Sequence, residues 1–348
     1  MKVRSVDPVA GERRARLFSA DLALQMKGQT VKDASTSRSH AIEVVPVNGF
    51  IGAEIKGADL SRPLSDEEFG VIHDAFCRYE VIFFRNQDIN VEQQSAFGRR
   101  FGELLVHPFA PNDDKKPELI VFDNSVENPP TNTDMWHADE TYRRCPPTAT
   151  ILRSITVPER GGDTLFSSMT SAYRGLSEEM KRYLHKLRAV HDFKPWRPMF
   201  NTPALRQKLL QLEEEFPNQL HPVVRLHPVT GRRVLYVNQQ FVLRIDGVKA
   251  DESACILDYL YRQAQVPEYQ LRLKWEKNMV VAWDNRSTHH YASYDYYPQA
   301  RKMQRVTTVG EPVLGVEGDY VPETVEGNGQ VMPKVHGTGG RTRQFERT

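Results

Sequence analysis

The sequence predicts a mainly β protein with flanking helices, folded as a sandwich or jelly roll. Three observations carry that expectation. Short strand-like runs recur along most of the chain, the helical stretches between them follow no regular βαβ alternation, and neither a phosphate-binding loop nor a GxGxxG fingerprint occurs. A doubly wound parallel sheet is thereby disfavoured.

Alternation begins with AIEVVPV (41–47) and resumes in GAEIKGADL (52–60), two short strands joined at Gly49. Ser65, with Glu68 three residues on and Phe69, Ile72 and Phe76 at helical spacing, marks the start of a helix. VIFFR (81–85) is branched and aromatic, the pattern of a buried strand, and a second helix is expected over 91–101. ELIVFDNS (118–125) reads as a strand and ENPPTNT (127–133) as a loop. TATILRSITV (148–157) and DTLFSS (163–168) are strands around the turn PERGGD, and 171–190 reads as one helix. PVVRLHPVTGRRVLYVN (222–238) reads as a hairpin turning at Val-Thr-Gly, and LRLKWEKNMVVAWDN (271–285) as a second. Between them 251–265 is helical, and MQRVTTVGE (303–311) is the last strand. The expected organisation is a polar N-terminal extension (1–38), one jelly-roll domain (39–312) and a flexible C-terminal tail (313–348).

The chain has 348 residues, enough for a sizeable core, and its charges nearly cancel to a net of +1. That balance gives no electrostatic case for nucleic acid or an anionic membrane surface as partner. No apolar run approaches the roughly 20 residues of a membrane helix. Asp7, Glu12 and Asp21 interrupt the basic N-terminal stretch and no hydrophobic signal core follows, so a cytoplasmic location is expected. Cys77, Cys145 and Cys255 are too widely separated to suggest a disulfide framework or a CxxC metal knuckle.

WHADETY (136–142) carries the first chemistry. On a strand, positions i and i+2 share a face roughly 6–7 Å apart, which would aim His137 and Asp139 the same way and Ala138 the other. Two such ligands suit an iron site completed by one more histidine, an arrangement that leaves metal positions open for small molecules and oxygen. Two polar side chains sharing an ordinary strand face are the plain alternative. AWDNRSTHHYA (282–292) supplies His289 and His290 just after a strand, where one of an adjacent pair can face inward. A surface histidine pair is the alternative there. Arg301 and Arg305 follow, four residues apart. A guanidinium holds carboxylate through a two-pronged fork, so an acid is their natural partner, with a solvated basic face as the alternative.

Taken in order, WHAD, GGDTLF (161–166), HPVVRLHPVTG (221–231), WDNRSTHHYASYDY and RKMQRVTTVG resemble the taurine dioxygenase family of iron(II)- and 2-oxoglutarate-dependent oxygenases. The resemblance implies His137, Asp139 and His290 as iron ligands, His290 rather than His289 because the ligand directly precedes Tyr-Ala. It implies Thr164 and Arg301 at the distal carboxylate of 2-oxoglutarate, Arg305 at an anionic group of the substrate, and His107, in LLVHPF, beside that substrate. The implied fold is a double-stranded β-helix, the cupin-like form of the jelly roll. The implied activity is hydroxylation of a small organic acid of the sulfonate, sulfate ester or carboxylate class, consuming O2 and releasing succinate and CO2. Dimers or tetramers are the implied assemblies. The same site also suits desaturation or ring formation. A non-catalytic jelly roll that binds an acid is the reading from another class, and the intact ligand set speaks against it.

Two positions depart from the taurine-specific pattern. Where those relatives carry an asparagine that meets the substrate amine, this chain has Thr133; where they carry a small apolar residue after the aspartate ligand, it has Glu140. A carboxylate beside an anionic headgroup is repulsive unless it turns away or meets a cation, which argues against taurine as substrate. Glu140 is therefore expected either to pair with an amine or hydroxyl of a different small acid, or to reach solvent, Arg143 or Arg144.

Overall fold

Val81, Ile82, Phe83 and Phe84 are all buried, which requires cover on both faces of their strand. The computed structural model, which describes residues 41–108, 115–129, 134–200 and 202–323, shows what covers each face. Val81 and Phe83 join Leu152, Val281, Trp283 and Met303 against Phe166, Leu271 and Leu273 of a second sheet. Ile82 and Phe84 join Ile151, Val280, Ala282 and Val306 against Ile72, Phe76 and Phe97 of two helices. Each fully buried large apolar side chain contributes about 1.5–3 kcal/mol, so these two layers dominate the stabilisation of the body.

In chain order the strands are β1 (Glu43–Pro46), β2 (Ala53–Lys56), β3 (Val81–Phe84), β4 (Ile120–Asn124), β5 (Ala149–Thr156), β6 (Thr164–Ser168), β7 (Arg188–His191) and β8 (Gln219–Pro222). They continue as β9 (Val224–Leu226), β10 (Arg233–Leu235), β11 (Val242–Ile245), β12 (Gln270–Leu273), β13 (Val280–Asp284), β14 (Thr288–Ala292) and β15 (Arg301–Thr307). One sheet runs β1-β2-β3-β13-β5-β15-β4, and β12-β6-β14 form the sheet that faces it across the core. Two further sheets, β11-β7-β8 and β9-β10, complete the set. Helix α1 (Asp66–Tyr79) starts at the expected capping box of Ser65 and Glu68, and α2 (Val91–Arg99) at a second one of Asn90 and Gln93.

Several expectations are corrected. Residues 171–190 are not one helix: α3 (Met169–Arg174) ends at Gly175, Ser177 caps α4 (Glu178–Leu184), and the chain then enters β7. The Ser177 hydroxyl accepts from the Met180 N–H, so the Gly-Leu-Ser break sits inside an otherwise helical pattern. Residues 271–285 are not a hairpin either. β12 pairs with β6, whereas β13 lies between β3 and β5, so the intervening WEKN crosses from one sheet to the other. Helix α5 (Pro203–Glu215) was not expected; its buried face rests on Leu212, with Leu209, packed against an aromatic group of Tyr142, Phe193, Phe200 and Phe241. The flexible tail does not begin at 313. The Leu226 N–H donates to Leu314 O at 2.8 Å, Gly315 bridges to Arg225, and Val316 packs against the cluster formed by α3, β9, β10 and α6 (Ala250–Arg262). The expected N-terminal extension and residues 324–348 lie outside the described residues. Among the described residues no helix is long and apolar enough to cross a membrane.

Candidate active site

His137, Asp139 and His290 meet at a cavity of about 420 Å³ that both facing sheets help to line. Nε2 of His137 stands 3.9 Å, and Nε2 of His290 3.8 Å, from Oδ1 of Asp139. These separations are too long for hydrogen bonds and short enough for one ion to touch all three groups. The His137 Nδ1–H donates to Met135 O at 2.7 Å, which fixes the tautomer and leaves the Nε2 lone pair facing Asp139. Burial disfavours the charged form of both imidazoles, so the neutral, ligating form prevails. Burial alone would raise the Asp139 carboxyl, but the Arg305 guanidinium, with the Thr150 hydroxyl, favours the ionised form and holds it well below the usual carboxylate range. Two neutral imidazoles and one ionised carboxylate, all buried, are a donor set that fits ferrous iron.

The convergence does not come from a strand. His137 joins β14 through one bridge, its N–H donating to His290 O at 3.1 Å and its C=O accepting from the His290 N–H at 2.7 Å. The chain then turns, with Glu140 in the left-handed region at φ 46°. Only His137 is bridged to β14, and Asp139 already lies in the turn that follows. His289 pairs with Ser167 one position along β14 and so projects from the other face; burial pushes its imidazole down to about 3. His290 is the one of the pair that lines the cavity.

Thr164 opens β6 immediately after the GGD turn. Gly161 and Gly162 both lie in the left-handed region, at φ 75° and 73°, and a Cβ on Gly161 would strike Asp295 at 2.7 Å. The Gly162 N–H donates to Asp295 Oδ1 at 2.8 Å, which pins the turn to the loop before Arg301. Arg301 is buried between the rings of Trp275 and Tyr296, 5.9 and 5.7 Å away, and its Nε and Nη2 have no hydrogen-bond partner among the described residues. Burying an unsatisfied guanidinium is costly unless an acid accepts from it, so this wall of the cavity suits a carboxylate. Thr164 Oγ1 accepts from Trp275 Nε1 at 2.9 Å, which leaves its own proton to donate.

Arg305 lies on the same strand, stacked over Phe122 at 5.3 Å, with Nη1 donating to Asp139 Oδ1 at 3.2 Å. His107 lines the cavity with Nε2 3.7 Å from Glu140 Oε1, edge-on to Trp196. Glu140 does not reach solvent: it is buried, and Oε2 accepts from Arg143 Nε at 2.6 Å and from the Tyr142 hydroxyl at 3.1 Å. Thr133 lies outside the described residues. Sequence reasoning missed two groups. One is the apolar wall of Ile120, Phe122, Trp196 and Phe241. The other is the polar support of Asp139, whose Oδ2 accepts from Thr150 Oγ1 at 2.7 Å and whose N–H donates to Asn285 Oδ1 at 3.3 Å. Asn285 sits in the WDN stretch beside a strand end, where a buried amide was a readable signal; Thr150 looked like any strand threonine.

Over residues 43–307 the chain matches the profile of the taurine catabolism dioxygenase TauD, TfdA family. The chain belongs to this family. It is an Fe(II)- and 2-oxoglutarate-dependent dioxygenase, and its two facing sheets are the jelly roll of that fold. The dioxygenase is 36% identical over 301 residues to an alpha-ketoglutarate-dependent sulfate ester dioxygenase of Pseudomonas putida, covering 84% of this chain and 99% of the relative. It is 34% identical over 284 residues to an alkylsulfatase of Acinetobacter baylyi, covering 80% and 88%. A crystal structure of a taurine dioxygenase from Burkholderia xenovorans matches with a TM-score of 0.67 at 35% identity, covering 80% of this chain and 97% of that one.

Proposed function

We propose that this dioxygenase hydroxylates a small organic acid with an apolar body, an alkyl or aryl sulfate ester or sulfonate, at a carbon held beside the metal. The observation that carries this reading is the mixed lining of one cavity: Arg305 and His107 stand among Ile120, Phe122, Leu152, Trp196 and Phe241, with Arg305 over Phe122 and His107 edge-on to Trp196. In this reading His137, Asp139 and His290 hold iron, and Thr164 and Arg301 hold the distal carboxylate of 2-oxoglutarate. Arg305 and His107 take the anionic head of the substrate. When bound, iron with 2-oxoglutarate and O2 supplies the oxidising power that inserts oxygen into a C–H bond, releasing succinate and CO2.

The residues of the chain do the binding and orienting. Neutral His137 and His290 keep their lone pairs available, and Asp139 stays ionised. The aromatic wall excludes water and aligns the apolar body. Glu140 contributes through His107, since its Oε2 already meets Arg143 and Tyr142. What disfavours a short aminated acid such as taurine is the apolar part of the lining, which offers an alkyl or aryl body contacts that taurine cannot use. The names of the Pseudomonas putida and Acinetobacter baylyi relatives support the sulfate ester class. A cytoplasmic location belongs to the same reading, supported by three cysteines that form no disulfide.

The test is succinate release, with alkyl sulfates of rising chain length, the matching alkanesulfonates, and taurine as substrates. Turnover that rises with apolar length and stays low with taurine is expected. Taurine turned over faster than every alkyl sulfate would contradict the proposal.

A further inference from the structure

We propose that Thr150 and Asn285 are positioning residues that restrict Asp139 to a single ligating oxygen. The inference rests on the iron-site reading above. The two carboxylate oxygens of Asp139 have different surroundings. Oδ1 faces Nε2 of both histidines and Nη1 of Arg305. Oδ2 points away from them and accepts from Thr150 Oγ1 at 2.7 Å.

The direction of this support follows from counting protons. Asn285 Oδ1 accepts from Trp283 Nε1 at 3.0 Å and from the Asp139 N–H at 3.3 Å, so the amide cannot be turned round. Its Nδ2 therefore faces Thr150 and donates to Oγ1 at 2.8 Å. With that donor on its oxygen, the single hydroxyl proton of Thr150 is committed to Asp139 Oδ2. Thr150 sits on β5 opposite Trp283 of β13, and both are buried, so strand pairing fixes the origin of the relay. Trp283 also packs 4.8 Å from the His290 ring, which ties the same relay to a histidine ligand.

The consequence is a coordination count. If iron were held by one carboxylate oxygen and two imidazoles, the protein would leave room for a chelating 2-oxo acid and for O2. A carboxylate free to turn both oxygens inward would compete for that room. Without the Thr150 donor, Oδ2 would be a buried anionic oxygen lacking a partner, and the metal would be its nearest replacement.

The test compares wild type, T150V and T150S, all as full chains, by equilibrium Fe(II) binding and by anaerobic 2-oxoglutarate titration at saturating Fe(II), followed in the visible spectrum. T150V is expected to bind Fe(II) within about 3-fold of wild type while its 2-oxoglutarate dissociation constant rises about 10-fold or more. T150S restores the hydroxyl and is expected to restore the wild-type value. If T150V fails to fold, T150A carries the same expectation. Unchanged 2-oxoglutarate binding in T150V overturns this inference alone, as does equal loss of Fe(II) binding in T150V and T150S. A folded wild-type protein that binds no Fe(II) overturns the iron reading and this inference together.

Discussion

Asp139 and Asp284 are both buried carboxylates accompanied by an arginine and a histidine, yet they serve different ends. Every accepting direction of Asp284 is filled. Oδ1 accepts from Arg286 Nε at 2.8 Å and from the Arg286 N–H at 3.0 Å; Oδ2 accepts from Arg286 Nη2 at 2.7 Å and from His227 Nε2 at 2.9 Å. The backbone N–H groups of Val229 and Thr230 donate to His227 Nδ1, so its proton is on Nε2 and belongs to Asp284. Asp139 has one oxygen held by Thr150, and its other oxygen accepts one bond from Arg305 Nη1 at 3.2 Å and faces two ring nitrogens that stand 3.8 and 3.9 Å off. The first cluster is sealed and structural. The second keeps its histidines at the distance a shared ion needs. The lesson is that residue types alone do not mark a site; the stand-off between buried donors and acceptors does.

The largest separation between the two should come from truncating each carboxylate. D284A leaves Arg286 and His227 buried without their counter-charge and is expected to lose about 3–5 kcal/mol of stability, read by chemical denaturation. D139A leaves the Thr150 and Arg305 donors unpaired and is expected to cost about 1–3 kcal/mol, less than D284A, while abolishing Fe(II) binding and turnover. Equal destabilisation by the two would erase the distinction.

Next in size is the cosubstrate wall. R301A is expected to raise the apparent KM for 2-oxoglutarate roughly 30-fold or more, because removing one partner of a buried charge pair costs about 2–5 kcal/mol of binding. Fe(II) affinity should stay at the wild-type value, and an equal loss of both would place Arg301 in the support of the metal rather than of the acid.

A smaller effect appears on the acid side. Burial pushes the His221 imidazole down to about 4, although its contact with Arg143 O favours the protonated form. Because the folded value lies below the ordinary one of about 6.5, the contribution is present above pH 6.5 and is lost as pH falls toward 4, a change of about 3 kcal/mol. Asp284, held well below the usual carboxylate range, stays ionised throughout that window. Stability should therefore decline between pH 6.5 and 4, and H221Q should flatten the decline. The smallest effect belongs to a surface cap: S65A should cost about 1 kcal/mol in the melting curve and leave Fe(II) binding untouched.

Much of the fold was legible because local chemistry dictates it. VIFF could only be a covered strand, and the Ser65 box could only open a helix. The failures share a cause. At 171–190 a helical period ran across Gly175 and Ser177 into β7, and at 271–285 two real strands were adjacent in sequence but belonged to opposite sheets. Which sheet a strand joins is decided by tertiary packing. The candidate site divides in the same way. His137, Asp139, His290, Thr164, Arg301, Arg305, His107 and Glu140 stood in motifs, and the chain brings them to one cavity. Thr150 and Asn285 act through a relay that exists only after β5 and β13 pair; the WDN stretch hints at a buried Asn285, whereas no local pattern announces Thr150.

The most direct test of the central claim is an anaerobic titration of metal-free protein with Fe(II) and then 2-oxoglutarate, watched in the visible spectrum. The site described here predicts a weak charge-transfer band that needs both additions and disappears in D139A. A folded protein that gives no band and retains no iron would mean that His137, Asp139 and His290 are only buried polar neighbours.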